Sequence, residues 1–250
     1  MSGLTRARLL LVRHGQTDWN RNGRLQGRSD IPLNDRGREQ VRARAEQLRD
    51  ELSVEGDYRT VVSSPLIRAR QSAAIVAEVL GLEPTEPCQG IVERNYGDAE
   101  GRTLPEVFAA WPLTRVYAEQ VGWTEGGSME DLIYDTHPCG PEARGDVRER
   151  TFAAANRLLD AHPYGVLGVS HGTAIRLLHW RVTGHQAPHL DNAGAVEFER
   201  DEQGTWRVLA VSGVTTPALP GVATLPSPRS PEDPRSAVGP SAAGRSASSR

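Results

Sequence analysis

Apolar and polar residues alternate along the chain in two periods, one typical of buried strands and the other of amphipathic helices. Leu9–Val12 is an apolar run of strand length that ends abruptly at Arg13-His14-Gly15, as a buried parallel strand does at its carboxyl end. Asp35–Leu52 then repeats small and apolar residues at three- and four-residue steps, with Asn34 as its predicted cap. A strand followed by a helix is therefore predicted here.

The same alternation continues to about residue 211. Further strands are predicted at Thr60–Val62, Gly165–Val169, Ala195–Glu199 and Trp206–Val211. Further helices are predicted at Ile67–Leu80, ended by Gly81, at Thr103–Trp111, ended by Pro112, at Asp146–Ala161 and at Thr173–Thr183. Repeated strand–helix units predict the α/β class, a three-layer α/β/α fold with a mainly parallel sheet. Ligands of such sheets bind at the carboxyl ends of the strands.

The composition changes at residue 215. Residues 215–250 contain seven prolines, seven serines and no aromatic residue, so this segment is predicted to be a disordered tail. Residues 1–214 are predicted to form one domain. Within it, residues 111–144 have the least regular pattern and are predicted to form a lid over the site.

All 29 basic residues are arginine, and lysine is absent. Codon bias in a GC-rich genome accounts for the total, so each arginine has to be considered on its own. The absence of lysine excludes Schiff-base chemistry and the usual phosphate-binding P-loop. A net charge of −3 argues against a non-specific nucleic-acid binder.

The sequence also predicts a cytoplasmic setting. No apolar run approaches the length of about 18 residues that a membrane span needs, and no cleavable signal is apparent. Cys88 and Cys139 are too few for a disulfide framework, and no zinc-binding spacing is present. Neither a membrane nor a metal is therefore expected as a partner.

Two predicted strands end alike, one in Val12-Arg13-His14-Gly15 and the other in Val169-Ser170-His171-Gly172. Both histidines should lie at one edge of the sheet, and glycine after each permits close backbone approach to a ligand. Arg13 stands beside the first histidine, and Arg68 projects from the start of the helix at the same edge. Guanidinium groups present paired donors suited to phosphoryl oxygens, so an oxyanion site is predicted. Spacing alone slightly favours a solvent-facing Arg68.

The run LVRHGQTDWN at positions 11–20 resembles the signature of the histidine phosphatase superfamily, which includes cofactor-dependent phosphoglycerate mutase. Supporting segments follow in the family's order at Leu25–Gly27, Ser63–Ala69, Glu93–Gly97 and Val169–Gly172, and the resemblance covers about Arg8–Val211. Two departures stand out. Gln16 replaces a common glutamate, and Cys139–Ala143 replaces a Gly-Glu-Ser segment, so Glu142 receives no role.

The resemblance implies a role for each matching residue. His14 becomes the nucleophile that forms a phosphohistidine, and Glu93 the general acid that later activates water. The phosphate pocket consists of Arg13, Arg68 and His171. Further contacts to the phosphate or the substrate are implied for Thr17, Asn20, Gln26, Gly27 and Tyr96. Neither a metal nor another cofactor is implied, and residues 1–214 become the catalytic domain.

The favoured function is a phosphomonoesterase acting on a small phosphorylated metabolite. Between Glu93 and His171 no two arginines are adjacent, and the segment is shorter than in the mutases, so the clamps of a mutase are missing. The mutase-like segment Glu93–Gly97 keeps a mutase as the leading alternative, and an inactive phosphate- or phosphoprotein-binding module is the second. A homodimer is left open, since an edge strand at Ala195–Glu199 could pair between subunits or be covered by the chain.

Overall fold

The computed structural model describes residues 6–51, 58–123, 128–162, 164–185 and 187–214. The strands are β1 (Ala7–Arg13), β2 (Thr60–Ser63), β3 (Glu83–Pro84), β4 (Val166–Ser170), β5 (Leu190–Arg200) and β6 (Trp206–Val214). The helices are α1 (Asp18–Arg21), α2 (Asp35–Glu51), α3 (Ile67–Leu80), α4 (Leu104–Ala110), α5 (Pro112–Gln120), α6 (Met129–Leu132), α7 (Arg144–Ala161) and α8 (Gly172–Thr183). The tail predicted at 215–250 lies outside the described residues, and its disorder stays a prediction.

The strands form one mixed sheet in the order β3-β2-β4-β1-β5-β6. β1, β2, β3 and β4 pair in parallel, whereas β5 is antiparallel to both β1 and β6. The predicted α/β class with a mainly parallel sheet is confirmed. Ala195–Glu199 lies within β5, which pairs with β1 on one side and β6 on the other, so of the two possibilities left open for this strand the structure shows the one in which the chain covers it.

Helices cover both faces of the sheet, which gives the three predicted layers. Successive side chains of a strand point to opposite faces. Leu10 and Val12 of β1 therefore pack with α2 and α3, while Leu9 and Leu11 pack with α7 and α8. Each of these side chains is almost fully buried and contributes about 1.5–3 kcal/mol through removal of apolar surface from water.

The local start and stop signals act largely as predicted. The Asn34 side chain accepts a hydrogen bond of 2.8 Å from the Gly37 backbone and caps α2, and Gly81 ends α3 in the left-handed conformation. Pro112 behaves differently, because a new helix, α5, begins there instead of the chain becoming irregular. Proline suits the first position of a helix, where the missing N–H has no partner to lose.

Gly15 is required for packing within the protein. A Cβ atom at Gly15 would lie 2.3 Å from the carbonyl oxygen of Gly37 at the start of α2, whereas one at Gly172 would meet only ordinary contacts. Gly15 thus lets the loop after β1 approach α2, and its role in admitting a ligand stays a prediction. Among the described residues, none of the helices is long and apolar enough to cross a membrane.

Candidate active site

The two histidines meet because β1 and β4 are neighbouring parallel strands in matched register. Arg13 at the end of β1 pairs with Ser170 at the end of β4, and the His14 backbone N–H donates to the Ser170 carbonyl over 3.0 Å. The residues that follow, His14 and His171, are almost fully buried, with their ring centroids 5.2 Å apart. The convergence predicted from the sequence is thus present.

Hydrogen bonds determine which nitrogen of His14 carries the proton. Nδ1 lies 2.7 Å from the Gly15 carbonyl oxygen, which can only accept, so the hydrogen is on Nδ1. The Arg68 Nε–H donates to Nε2 over 3.2 Å, so Nε2 holds a lone pair. Burial first, and then the charges of Arg68 and Arg13, lower the pKa of His14 well below its usual value. Its imidazole is therefore neutral at pH 7, with Nε2 available for attack.

Arg68 lies entirely inside the protein, so the solvent-facing orientation that its spacing slightly favoured is wrong. Its Nη1 donates to the Ser29 carbonyl over 2.8 Å and its Nη2 to the Gly27 carbonyl over 2.7 Å. Burial lowers the pKa of Arg68 to about 10, which leaves the guanidinium charged at neutral pH. The loop after α1 thus holds a cation against the His14 ring.

His171 and Arg13 each have a buried nitrogen atom that lacks a hydrogen-bond partner among the described residues. The Ser64 hydroxyl lies 2.7 Å from His171 Nε2, and the tautomer in which this hydroxyl donates to Nε2 carries the ring hydrogen on Nδ1. Within the described part of the chain, that Nδ1 and the Nε of Arg13 have no hydrogen-bond partner. An unsatisfied buried donor costs about 1–3 kcal/mol. An anion placed between these groups would recover that cost.

Glu93 is buried at the start of α8. Its carboxylate accepts backbone N–H bonds from Thr173 and Ala174 over 3.2 Å each and from Arg94 over 2.8 Å. Burial raises the pKa of Glu93, and these hydrogen bonds only partly offset the increase. A carboxyl group that keeps its proton to higher pH suits a general acid. Because His171 is the N-cap residue of the same helix, the predicted phosphate pocket and Glu93 are attached to one element.

The predicted substrate contacts divide into one residue at the cavity and four that contact other parts of the protein. Asn20 lines the cavity. The Thr17 hydroxyl donates to Gln26 over 2.9 Å, and Tyr96 is buried with its hydroxyl 2.6 Å from that of Thr173. Gly27 supplies its carbonyl to Arg68. As substrate ligands these residues stay predictions, and their contacts make them supports of α1, Arg68 and α8.

Two further arginines fix the backbone around Glu93. The Arg150 guanidinium donates to the carbonyls of Gly90, Val92 and Glu93 and forms an ion pair of 2.8 Å with Glu142. Glu142, which had no role from the sequence, is thereby the anchor of this arginine.

Arg94 ties the lid to the segment that carries Glu93. It is fully buried, and it donates to the carbonyls of Ile133 and Glu142 over 2.6 and 2.7 Å and to Asp135 over 3.0 Å. Residues 133–142 are thus held against the loop that positions the proposed acid.

A cavity of about 410 Å³ opens beside Arg13. Its lining includes Glu130, His189, Asp191 and Asn192, which the sequence did not single out. The last three lie at the start of β5, where the strand has an irregular register and Ala193 adopts a φ of +62°. Because β5 runs antiparallel to β1, its beginning lies at the carboxyl edge of the parallel strands. The sequence did contain a signal for these residues, since they are polar and come just before the predicted strand Ala195–Glu199.

Of the aromatic residues in the predicted lid, Trp123 lines the cavity. Trp111 packs edge-on against His137, and Tyr117 contacts Tyr134, so these three lid aromatics form local packing instead. In the described part of the chain, no group of three or more histidine, cysteine, aspartate or glutamate side chains could hold a metal ion.

The fold and the paired-histidine site define a phosphoglycerate mutase-like α/β protein with a cationic pocket at the carboxyl edge of its sheet. A family model described as the histidine phosphatase superfamily (branch 1) matches residues 9–212. The chain therefore belongs to the histidine phosphatase superfamily.

Relatives within the family include phosphatases and mutases. The chain is 34% identical over 203 residues to the uncharacterized phosphatase PhoE of Bacillus subtilis, covering 79% of this chain and 90% of that protein. It is 33% identical over 176 residues to the 2,3-bisphosphoglycerate-dependent phosphoglycerate mutase of Methylobacterium radiotolerans, covering 68% and 76%. A mycobacterial glucosyl-3-phosphoglycerate phosphatase solved with VO3 superposes with a TM-score of 0.66 at 27% identity, covering 84% of this chain and all of that one. The phosphatases among these relatives support a hydrolase role.

The buried histidines make folding stability dependent on pH. Burial lowers the pKa of His171 well below 6.5, so between pH 7 and 5 the unfolded chain binds more protons than the folded one. The free energy of unfolding should therefore decrease as the pH falls through this range. We expect His171→Gln to show a smaller fall in thermal unfolding midpoint between pH 7 and 5 than the wild type.

The matched control is His185→Gln, which changes an exposed histidine and should keep the wild-type slope. The raised pKa of Glu93 acts in the opposite direction, removing stability as pH rises, but it is common to all three proteins and cancels in the comparison. An unchanged slope in His171→Gln would contradict the lowered pKa.

Proposed function

We propose that this protein is a metal-independent phosphomonoesterase that forms a phosphohistidine and acts on a small phosphorylated metabolite. The observation that carries the proposal is the His14 Nε2 lone pair, held beside the buried Arg68 charge by the Gly15 hydrogen bond on Nδ1. The Nε of Arg13 and the Nδ1 of His171, which have no hydrogen-bond partner in the described part of the chain, supply the rest of an oxyanion pocket. Relatives named as phosphatases, one of them solved with VO3, support this function.

In the first step, Nε2 of His14 attacks phosphorus in line and the P–O bond to the alcohol breaks. Arg13, Arg68 and His171 donate to the equatorial oxygens, where a unit charge pair about 4 Å apart is worth roughly 4 kcal/mol at an effective dielectric of 20. Glu93 gives its proton to the leaving alkoxide. In the second step, Glu93 takes a proton from water, which attacks the phosphohistidine and releases phosphate and free His14.

A phosphoglycerate mutase is the second candidate, favoured by the mutase relative and the segment Glu93–Gly97. A mutase must hold a second acidic group with additional cations. Among the described residues, the arginines at the cavity are Arg13 and Arg24, and Arg24 is paired with Glu106 over 3.1 Å. The arginines between residues 94 and 150 bind backbone carbonyls, carboxylates or aromatic rings elsewhere. This distribution favours the hydrolase.

An inactive phosphate- or phosphoprotein-binding module is the third candidate. Such a module needs neither a nucleophile nor an acid, yet His14 and Glu93 are both present and both buried in the site. We also propose that residues 1–214 are the catalytic domain with its lid at 111–144. The protein is proposed to act in the cytoplasm, in keeping with the free thiols of Cys88 and Cys139.

Trapping the intermediate tests the nucleophile. Brief mixing with a ³²P-labelled phosphomonoester, followed by quenching in alkali, should leave label on the wild type, because phosphohistidine survives alkali and is lost in acid. His14→Ala should carry no label, and its hydrolysis of p-nitrophenyl phosphate should fall by at least about a thousandfold. The exposed-site variant His185→Ala serves as the control and should label normally. Label persisting on His14→Ala would assign the nucleophile elsewhere.

Replacing the proposed acid should affect substrates according to their leaving groups. Glu93→Gln cannot donate a proton, so kcat for alkyl phosphates should fall by about a hundredfold or more. The loss should be much smaller for p-nitrophenyl phosphate, because an aryl oxide barely needs protonation. The control is Glu119→Gln, an exposed glutamate on α5. Equal losses for alkyl and aryl esters would count against Glu93 as the acid.

The product formed from 3-phosphoglycerate separates the two enzymes. Under the proposed function, any turnover releases inorganic phosphate, and no 2-phosphoglycerate accumulates when both are followed by ³¹P NMR. Isomerisation faster than phosphate release and stimulated by 2,3-bisphosphoglycerate would establish the mutase instead.

A further inference from the structure

The cavity beside the phosphate pocket carries its own set of polar groups. Glu130, from α6, lines it opposite the start of β5, and the Ser128 hydroxyl donates to its carboxylate. Although burial opposes ionisation, the nearby charge of Arg13 lowers the pKa of Glu130 below its usual value. A carboxylate that is ionised at neutral pH therefore faces the space where the alcohol part of a phosphate ester would lie.

The cations of this region are engaged elsewhere. Arg24 binds Glu106 and donates to the Gly101 carbonyl over 2.5 Å. Arg13 donates through Nη1 to the Leu190 carbonyl, and its unpartnered Nε belongs to the phosphate pocket. Asp191 adds a second carboxylate to the lining. The outer cavity is therefore rich in acceptors and unsuited to a second anion.

His189 adds a donor to this wall of acceptors. Arg13 Nη1 lies 3.4 Å from His189 Nε2, and because a guanidinium can only donate, Nε2 accepts and the hydrogen is on Nδ1. Burial, and then Arg13, lower the pKa of His189, so the ring is neutral. Among the described residues, this Nδ1 is one of the buried nitrogen atoms without a hydrogen-bond partner.

We propose that the cavity lined by Glu130 and His189 is a subsite for a hydroxyl group of the substrate's alcohol part, so that the preferred substrates are phosphate monoesters of neutral polyols. The hydroxyl donates to the Glu130 carboxylate and accepts from His189 Nδ1–H. This inference rests on the proposed phosphomonoesterase function and adds the class of leaving group to it.

Other functional groups of a substrate can bind to at most one of the two residues, Glu130 and His189. A carboxylate or second phosphate meets a like charge at Glu130, a repulsive element that discriminates between partners of similar shape. An ammonium group can pair with Glu130, but it cannot accept a hydrogen bond, so it leaves the His189 donor unsatisfied. The hydroxyl group alone among these three both donates and accepts.

Two matched substrate pairs test the proposal through phosphate release. Glycerol 3-phosphate and 3-phosphoglycerate differ by one hydroxymethyl against a carboxylate, and 2-hydroxyethyl phosphate and O-phosphoethanolamine by a hydroxyl against an ammonium. The wild type should favour the hydroxyl member of each pair, by at least about tenfold in kcat/KM for the first. Glu130→Gln should reduce the preference for glycerol 3-phosphate over 3-phosphoglycerate by about tenfold. The difference in intrinsic reactivity between the two esters is the same for both proteins, so it cancels when their preferences are compared. Glu119→Gln should keep the wild-type ratios.

Several outcomes would overturn the subsite. One is a wild-type preference for 3-phosphoglycerate over glycerol 3-phosphate, and another is a preference for O-phosphoethanolamine over 2-hydroxyethyl phosphate. The third is a Glu130→Gln protein that unfolds at the wild-type temperature and keeps the wild-type preference for glycerol 3-phosphate over 3-phosphoglycerate. The two substrate preferences are measured on the wild-type protein, so a folding defect in a variant cannot affect them. Failure of the proposed function looks different, because then neither p-nitrophenyl phosphate nor any of the four esters releases phosphate in a manner that depends on His14.

Discussion

The buried guanidinium of Arg68 is the interaction on which the site is built. A cation inside a protein is costly unless its hydrogen bonds are satisfied. Here the partners are the carbonyls of Gly27 and Ser29 and the lone pair of His14, while Glu93, Asp30 and Glu100 act on it at longer range. Carbonyl dipoles stabilise the charge without cancelling it as a direct carboxylate contact would. The charge therefore stays available to an anion. After burial, which is the larger cause, it also lowers the pKa of the neighbouring histidines, His14 and His171.

The shape of guanidinium explains why this protein manages without lysine. Arg68, Arg94 and Arg150 each donate to at least two backbone carbonyls at once, which requires several donors in a fixed plane. An ammonium group is a compact point charge and could not span the same partners. The Arg94 and Arg150 bridges converge on the loop that carries Glu93 and on residues 133–142 of the lid. The fold thus explains what these three arginines do.

The parts of the fold that follow from local chemistry were predictable from the sequence. The strand ends at His14 and His171, the Asn34 cap and the Gly81 stop each depend on residues near in the chain. What could not be predicted depends on distant contacts. The burial of Arg68 is set by carbonyls about forty residues away, as the separations of 39 and 41 residues show. The polar start of β5 reaches the site only because that strand runs antiparallel, which a repeating strand–helix pattern does not reveal.

Positive and negative side chains lie at opposite ends of the site, and this arrangement bears on the choice between hydrolysis and mutase chemistry. Arg13 and Arg68 lie at the inner end beside His14, whereas Glu130 and Asp191 line the outer cavity. A monoester would be oriented by this gradient with its phosphate inward and its alcohol outward. Among the described residues, the cations at the cavity are Arg13, beside His14, and Arg24, which is paired with Glu106. After transfer to His14, the alcohol would therefore leave and admit water. A mutase must prevent that departure by holding an acidic intermediate, and a carboxylate at the entrance works against doing so. The charge distribution that orients a neutral alcohol thus favours transfer of the phosphoryl group from His14 to water over its transfer back to the alcohol.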